Sequence, residues 1–239
     1  MPIDTIMLGG FPIRQTTASE LSTYLLDSLQ CKRDRTLLFA NTNFIVQCRG
    51  LSAEMRDESV LIVNDGVGMD IAALLILRRR FKDNLNGTDF TPYLFRQAKR
   101  PLRLFLLGGK PAVVTRAAEY AQRHLGQAVV GVCDGYTGMR EARLLERIAR
   151  SQADILLVAL GNPIQEQWIL KHRAALKVPI VMGVGALFDF WAGAKPRAPR
   201  VMQRLRLEWL YRLLVEPRRL LRRYTLDIMR FLLYCYRYR

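Results

Sequence analysis

Asp154–Arg200 reads DILLVALGNPIQEQWILKHRAALKVPIVMGVGALFDFWAGAKPRAPR, and the fold is decided inside it. Ile155–Leu160 and Ile180–Val184 are short apolar runs bounded by turn residues, the signature of buried strands. Gln165–Arg173, between them, reads as a helix. Strand, loop, helix and strand in that order predict a right-handed crossover between parallel strands. Ligands in open parallel sheets collect outside the carboxyl ends of the strands. Those ends are Gly161-Asn162-Pro163-Ile164-Gln165-Glu166 and Gly183-Val184-Gly185-Ala186-Leu187-Phe188-Asp189. Polar side chains sit there among glycines that permit close backbone approach. An ordinary pair of tight turns has the same pattern, so the local sequence leaves both readings open.

Upstream, the pattern repeats. Ile3–Leu8 reads as a strand turned by Gly9-Gly10 and Pro12, and Thr17–Leu29 as a helix with Leu21, Leu25 and Leu29 on one face. Thr36–Ala40 is a strand ending in Asn41-Thr42-Asn43, followed by a helical stretch to Arg49. Thr42 and Asn43 offer a hydroxyl and an amide to a sugar or nucleotide, or one of them caps the helix. Val60–Val63 is a strand leading to Asn64-Asp65-Gly66-Val67-Gly68 and a helix through Leu77. A carboxylate at Asp65 is placed to accept a proton or bind a hydroxyl; a turn with Asp65 as cap is the alternative. Thr88 or Asp89 reads as the cap of a helix to Arg96. Leu102–Leu107 is a strand, and Gly108-Gly109-Lys110-Pro111 opens a helix to Leu125. Such a turn can cradle a diphosphate on free amides, although it is not a dinucleotide or Walker loop. Val129–Cys133 is a further strand ending at Asp134-Gly135-Tyr136, where Tyr136 can stack on a base or cover the sheet edge. Arg140–Arg150 reads as an exposed helix.

The 239 residues suit one α/β domain plus an appendage. Net charge is +16, which calls for an anionic partner: nucleic acid, a lipid surface or a phosphorylated substrate. From Lys195 onward, 13 Lys and Arg stand against three acidic residues. Leu205, Trp209, Leu213 and Leu214 make an apolar stripe there. After Pro217, Arg218, Arg219, Arg222 and Arg223 alternate with Leu220, Leu221 and Tyr224. A basic, aromatic-rich helix pair of this kind reads as binding a membrane surface, or as packing on the domain with a solvated basic face. Cys31, Cys48, Cys133 and Cys235 lack C-x-x-C spacing and fit a reduced compartment. His124 and His172 suggest no metal site. The start MPIDTIMLGG does not read as a signal peptide, and no apolar run reaches membrane-spanning length.

GNPIQEQW, then GVGALFDFWAGAKPRAP, then LEWLYRLLVEPRRLLRRY resemble the WecG/TagA/CpsF family of bacterial glycosyltransferases. The family's G-x-P-x-Q-E, R-A-P and L-E-W-x-x-R-L segments are present in order. The likeness extends over nearly the whole chain and includes D-G-x-G at Asp65 and G-[ST]-D at Asp89. It implies a mostly parallel, Rossmann-like α/β sheet flanked by helices over 1–195, with a basic helical appendage over 196–239. It also implies transfer of a sugar from a UDP-sugar to an undecaprenyl diphosphate-linked sugar, on the cytoplasmic face of the inner membrane, without metal or other cofactor.

On this resemblance Asp65 is the catalytic base. Thr42, Asn43, Gly66, Asp89, Gly108 and Gly109 are substrate contacts, as are Tyr136, Gly161, Gln165, Glu166, Gly185 and Asp189. Arg212, Arg218, Arg219, Arg222 and Arg223 meet the lipid diphosphate or an anionic membrane. Self-association is open. Members that transfer N-acetylmannosamine or its uronic acid commonly carry an arginine in the helix after D-G-x-G and another before G-[ST]-D. Ungapped alignment puts Leu74 and Asn84 at those places, which points to UDP-glucose and to the exopolysaccharide glucosyltransferase branch. In the alternative, Arg78, Arg79 or Arg80 replaces the missing charge and the donor is the acetamido sugar. A nucleic-acid-binding protein and a nucleotide-dependent oxidoreductase are the other classes, but neither has its sequence signature.

Overall fold

The computed structural model describes residues 4–140, 142–204, 207–217, 221 and 225–238, with the side chains of Arg140, Arg200, Arg204 and Arg212 left out. The chain opens on a hairpin: β1 (Thr5–Leu8) and β2 (Phe11–Arg14) pair antiparallel across Gly9 and Gly10, both at positive φ. A two-residue loop with positive φ matches the twist of paired strands. Helix α1 (Ala18–Gln30) starts at a capping box, where Thr17 accepts from the Glu20 amide and Glu20 accepts from the Thr17 amide. Such a cap contributes ~1 kcal/mol.

Then come β3 (Arg35–Ala40), α2 (Thr42–Gln47), β4 (Val60–Asn64) and α3 (Val67–Leu77), followed by α4 (Gly87–Gln97), β5 (Arg103–Gly108), α5 (Pro111–Arg123) and β6 (Ala128–Cys133). Helix α6 (Leu144–Arg150) leads into the central unit, β7 (Ile155–Ala159), α7 (Ile164–Leu176) and β8 (Ile180–Gly183). Short α8 (Leu187–Trp191), α9 (Arg200–Arg204), α10 (Glu208–Val215) and α11 (Leu226–Arg237) complete the described elements.

The strands form one eight-stranded sheet in the order β1-β2-β4-β3-β8-β7-β5-β6. Every pairing except β1 with β2 is parallel. Alternate residues of each central strand feed two cores. Leu38 and Ala40, Phe105 and Leu107, and Leu156 and Val158 face one side, with Met69 of α3, Ile148 of α6 and Ile169 of α7. Leu37 and Phe39, Leu104 and Leu106, and Ile155 and Leu157 face the other, with Leu25 of α1, Phe90 of α4 and Trp191 of α8. Burial on both faces is what a parallel sheet requires, and each large apolar side chain removed from water contributes ~1.5–3 kcal/mol.

The fold class read from the sequence is the one observed. Several elements differ. The first strand is half of a hairpin, because Gly9-Gly10 returns the chain instead of ending it. The helix read over 140–150 begins at Leu144, and Leu144 and Ile148 are buried instead of exposed. The caps are Asn41 for α2 and Asn86 for α4, not Thr42, Asn43, Thr88 or Asp89. In the last part of the chain, Phe231 and Cys235 of α11 enter the core, and α11 packs on α2 and α3.

Candidate active site

Asp65 follows directly on β4. Its amide donates to the Ala40 carbonyl at 2.7 Å, extending the β3–β4 ladder by one step. The chain then turns sharply: Gly66 has φ +94°, a conformation that side chains rarely adopt, and serves as N-cap of α3 without a side-chain cap. Asn64, beneath, is buried and satisfied. Its Nδ2 donates to the Asp83 carbonyl at 2.9 Å and to Asp70 at 3.3 Å, and its carbonyl accepts from Leu85. The Gly66 amide donates to Asn84 Oδ1 at 2.7 Å. Asp65 is thus held between a strand end and the 83–85 segment, with Asn41 Nδ2 3.5 Å from its Oδ2.

Asp65, Gly66, Val67 and Gly68 line a cavity of about 640 Å3 with Asn41, Thr42, Asp83, Asn84, Asn86, Thr88 and Asp89. Small-molecule sites typically span ~300–1,000 Å3. The far wall comes from Phe190, Arg197, Gln203, Glu208, Trp209 and Ile228, so residues after 195 complete it. In the first turn of α3 the Met69 amide donates to the Gly66 carbonyl at 3.1 Å, and the helix start carries the positive end of its dipole. α3 also lies close to α2: a Cβ on Gly68 would sit 2.6 Å from Thr42 Cγ2.

Among the described residues Arg197 is the one cation in this wall. It pairs with Asp89, and its Nε lies 3.8 Å from Glu208 Oε1. Asp89 also accepts from Asn86 Nδ2 at 2.8 Å. The guanidinium therefore ties the start of α4 to the start of α10 across the cavity. Among the described residues, no group of three or more Asp, Glu, His or Cys side chains is placed to hold a metal ion.

Beside the cavity runs a buried polar seam. Asn43 Nδ2 donates to Asn162 Oδ1 at 3.3 Å, and Asn162 Nδ2 donates to Glu166 Oε1 at 2.7 Å. Gln165 Nε2 donates to the same Glu166 oxygen at 2.8 Å, while Gln165 Oε1 accepts from the Gly185 amide at 2.9 Å. Cys48 Sγ stands 3.5 Å from Glu166 Oε2. Gly183 leaves room for this packing, since a Cβ there would meet Gln165 Nε2 at 2.5 Å. Burial pushes the Glu166 carboxyl above its ordinary value, and burial beside Glu166 pushes the Cys48 thiol up. The seam stitches the carboxyl ends of β3, β7 and β8 together.

Residues 6–239 match the model of the WecG/TagA/CpsF family of glycosyl transferases. The chain belongs to that family. It is a glycosyltransferase, and its activity is transfer of a sugar from a donor to an acceptor.

In this glycosyltransferase the structure brings together Thr42, Asp65, Gly66 and Asp89 of the residues singled out in the sequence. Asn43, Gln165, Glu166 and Gly185 lie in the seam behind them. Gly108, Gly109 and Tyr136 lie at the ends of β5 and β6, outside the cavity lining, and Gly161 at the end of β7 borders the seam, its carbonyl accepting from the Gln165 amide at 2.9 Å. The Gly109 amide is used by the Ala159 carbonyl at 3.1 Å, and a Cβ on Gly108 would meet that oxygen at 2.3 Å; the tight turn serves strand packing. Tyr136 is exposed, on a loop held by Asp134. Asp189 pairs with Lys195 at 2.9 Å, and its carbonyl accepts from Ala194 and Lys195. That arrangement steers the chain toward Arg197.

Arg218, Arg219, Arg222 and Arg223 lie outside the described residues, and so does the side chain of Arg212 on α10. Asn84, which the sequence singled out only for the choice of donor sugar, lines the cavity, whereas Asn86, Arg197, Glu208 and Ile228 carried no site role in the sequence. Arg197 and Glu208 belong to the R-A-P and L-E-W segments, so the signal for those two was in view without a role attached.

Proposed function

We propose that this glycosyltransferase is an inverting enzyme that moves a hexose from a UDP-sugar to an undecaprenyl diphosphate-linked sugar at the cytoplasmic face of the inner membrane. Its product would extend a lipid-linked precursor of a surface or exopolysaccharide. The observation that carries the reading is the Asp65 carboxylate at a strand tip, opening into a cavity of suitable size whose wall is rich in neutral hydrogen-bonding groups.

The acceptor hydroxyl attacks the anomeric carbon of the donor as the bond to UDP breaks. Asp65 takes the hydroxyl proton. A single displacement inverts the anomeric centre. The developing charge on UDP needs donors that are already in place. The uncapped N-terminus of α3 and the guanidinium of Arg197 are the described groups that supply them. Thr42, Asn84 and Asn86 offer hydroxyl and amide partners for the sugar ring.

Two features support glucose as the sugar. Leu74 does not line the cavity, and Asn84 presents an amide already engaged with Gly66. Arg78, Arg79 and Arg80 are also absent from the lining, and Arg79 pairs with Asp4 at 2.6 Å. The favoured reaction is glucose transfer to a lipid-linked glucose, with a β-1,4 linkage.

Attachment to the membrane is peripheral in this reading. Among the described residues no helix is long and apolar enough to cross a membrane, and the basic excess sits in the last part of the chain. The decisive test is Asp65→Asn, which keeps shape and removes the base. Turnover should fall at least ~100-fold, with UDP binding largely kept. Near-normal turnover would remove Asp65 from the mechanism.

A further inference from the structure

Helix α3 breaks the rule for a surface helix, which shows a polar face to water. Its sequence, VGMDIAALLIL, carries a single charge, Asp70, and that side chain stands 3.3 Å from the buried Asn64 amide. Met69, Ala72 and Ala73 fill the core. The opposite side carries Ile71, Leu74 and Leu75, which are 48%, 41% and 69% exposed. Spacings of three and four put these three on one face. Helix α11 packs against α3 and repeats the arrangement, with Phe231 and Cys235 inward and Leu226, Met229 and Leu233 outward. Ile71 of α3 and Ile228 of α11 both line the candidate active-site cavity. Two neighbouring helices that each contribute a residue to the cavity lining therefore expose large aliphatic side chains together, where single scattered ones would be ordinary.

The charges around this face say what covers it. Arg78 and Arg80 follow α3 and are exposed, as is Arg237 of α11, while Arg79 pairs with Asp4 at 2.6 Å and Arg230 with Asp227 at 3.4 Å. In a symmetric pair of chains the patch would meet itself, so these arginines would oppose one another. An anionic bilayer presents aliphatic chains to the leucines and phosphates to the arginines.

We infer that α3, an element of the catalytic domain, is itself a membrane-inserting helix. Its Ile71–Leu74–Leu75 face enters the acyl region of an anionic bilayer alongside the outer face of α11. The cavity then opens at the lipid surface, past Ile71 and Ile228, where a lipid-linked acceptor arrives. This rests on the reading of the acceptor as a lipid. It assigns to α3 a role separate from that of the basic segment after 195.

The test is sedimentation of the full chain with vesicles of equal parts phosphatidylglycerol and phosphatidylcholine. Leu75→Gln removes an aliphatic side chain that lies outside the cavity wall. Partition should weaken at least about tenfold, with turnover on a soluble short-chain acceptor kept within about twofold. A nitroxide on Leu75→Cys, in a chain with Cys31→Ser, should lose access to aqueous relaxants and gain access to oxygen when vesicles are added. Unchanged partition of Leu75→Gln, or a nitroxide that stays in water, overturns the inference. So does loss of self-association in Leu75→Gln with vesicle binding intact, since the face would then belong to a second copy. Failure of the wild-type chain to act on any short-chain diphosphate acceptor would count against the acceptor reading, while the vesicle results still decide the role of α3.

Discussion

The Gly66 amide donates to the side-chain oxygen of Asn84 at 2.7 Å, and this bond spans the two segments that define the candidate active site. Asp65 and Gly66 come off the end of β4, whereas Asn84 belongs to the segment before α4. Asn84 is held from below, since its own amide donates to Asp83 Oδ1 at 2.8 Å. The turn at positive φ is thus fixed at its exit, and with it the direction of the Asp65 carboxylate.

Asn84→Ala leaves the Gly66 amide without that acceptor. A partly buried hydrogen bond contributes about 1 kcal/mol, so stability should drop by about that much. Turnover should fall about tenfold, with donor affinity changed less than about threefold, because what is lost is aim. In an Asp65→Asn background the same change should have almost no further effect, as for residues acting as one unit. Additive losses in steady-state kinetics would show that Asn84 acts independently of Asp65.

Arg197 gives a different signature. Its pairs with Asp89 and Glu208 are partly exposed, so they contribute ~0–1 kcal/mol to stability. Arg197→Ala should leave the unfolding midpoint almost unchanged. It should nevertheless raise the Kd for UDP at least about tenfold, because Asp89 and Glu208 would face the diphosphate unneutralised. Arg197→Lys should recover part of the binding, since an ammonium supplies charge without the planar fork. Calorimetric titration with UDP reads this directly, and unchanged affinity in the alanine variant would take Arg197 out of the donor site.

Much of the sheet was legible because parallel strands are buried on both faces, so apolar runs such as Ile155–Leu160 and Leu102–Leu107 stand out against their turns and lie within a residue of the observed strands. β2 was hidden by its length and by Pro12, a residue that argues against a central strand; its pairing with β4 is confined to Ile13 and Ile62. Asp65 was legible as a carboxylate at a strand tip. Gln165 and Glu166 show the limit of that logic. Polar residues at a strand end look alike in sequence whether they meet a ligand or one another, and here they are 2% and 1% exposed and bonded within the seam. Arg197, Glu208 and Ile228 reach the cavity through folding of the last part of the chain, which no local pattern encodes.

The seam carries a pH dependence. Burial raises the Glu166 carboxyl above its ordinary value of 4.5. A raised acid favours the folded state most below its unfolded value, and that advantage is lost as pH rises through the folded one. Wild-type stability should therefore fall, relative to Glu166→Gln, as pH rises above 4.5, the ordinary value of the group. Glutamine keeps an acceptor for Asn162 and Gln165 and carries no charge to desolvate. Urea unfolding of both proteins across that range tests this, and parallel curves would mean that Glu166 is not titrating within the fold.

The donor sugar separates the two readings of the resemblance. An acetamido or uronate donor calls for a cation or a dedicated donor group, because guanidinium pairs with carboxylate and holds an amide oxygen. Leu74, at one expected arginine place, belongs to the outward face of α3. Asn84, at the other, spends its oxygen on Gly66. The basic run that could compensate is absent from the cavity lining, and Arg79 pairs with Asp4. Arg197 remains among the described residues, already shared between Asp89 and Glu208. A neutral hexose matches such a wall. With matched lipid-linked acceptors, kcat/KM for UDP-glucose should exceed that for UDP-N-acetylmannosamine by at least about tenfold, near 1.4 kcal/mol in the transition state. Asn84→Arg should narrow the ratio, even though it also loosens the turn. A preference of the wild-type enzyme for the acetamido sugar would exclude glucose and leave the glycosyltransferase assignment standing.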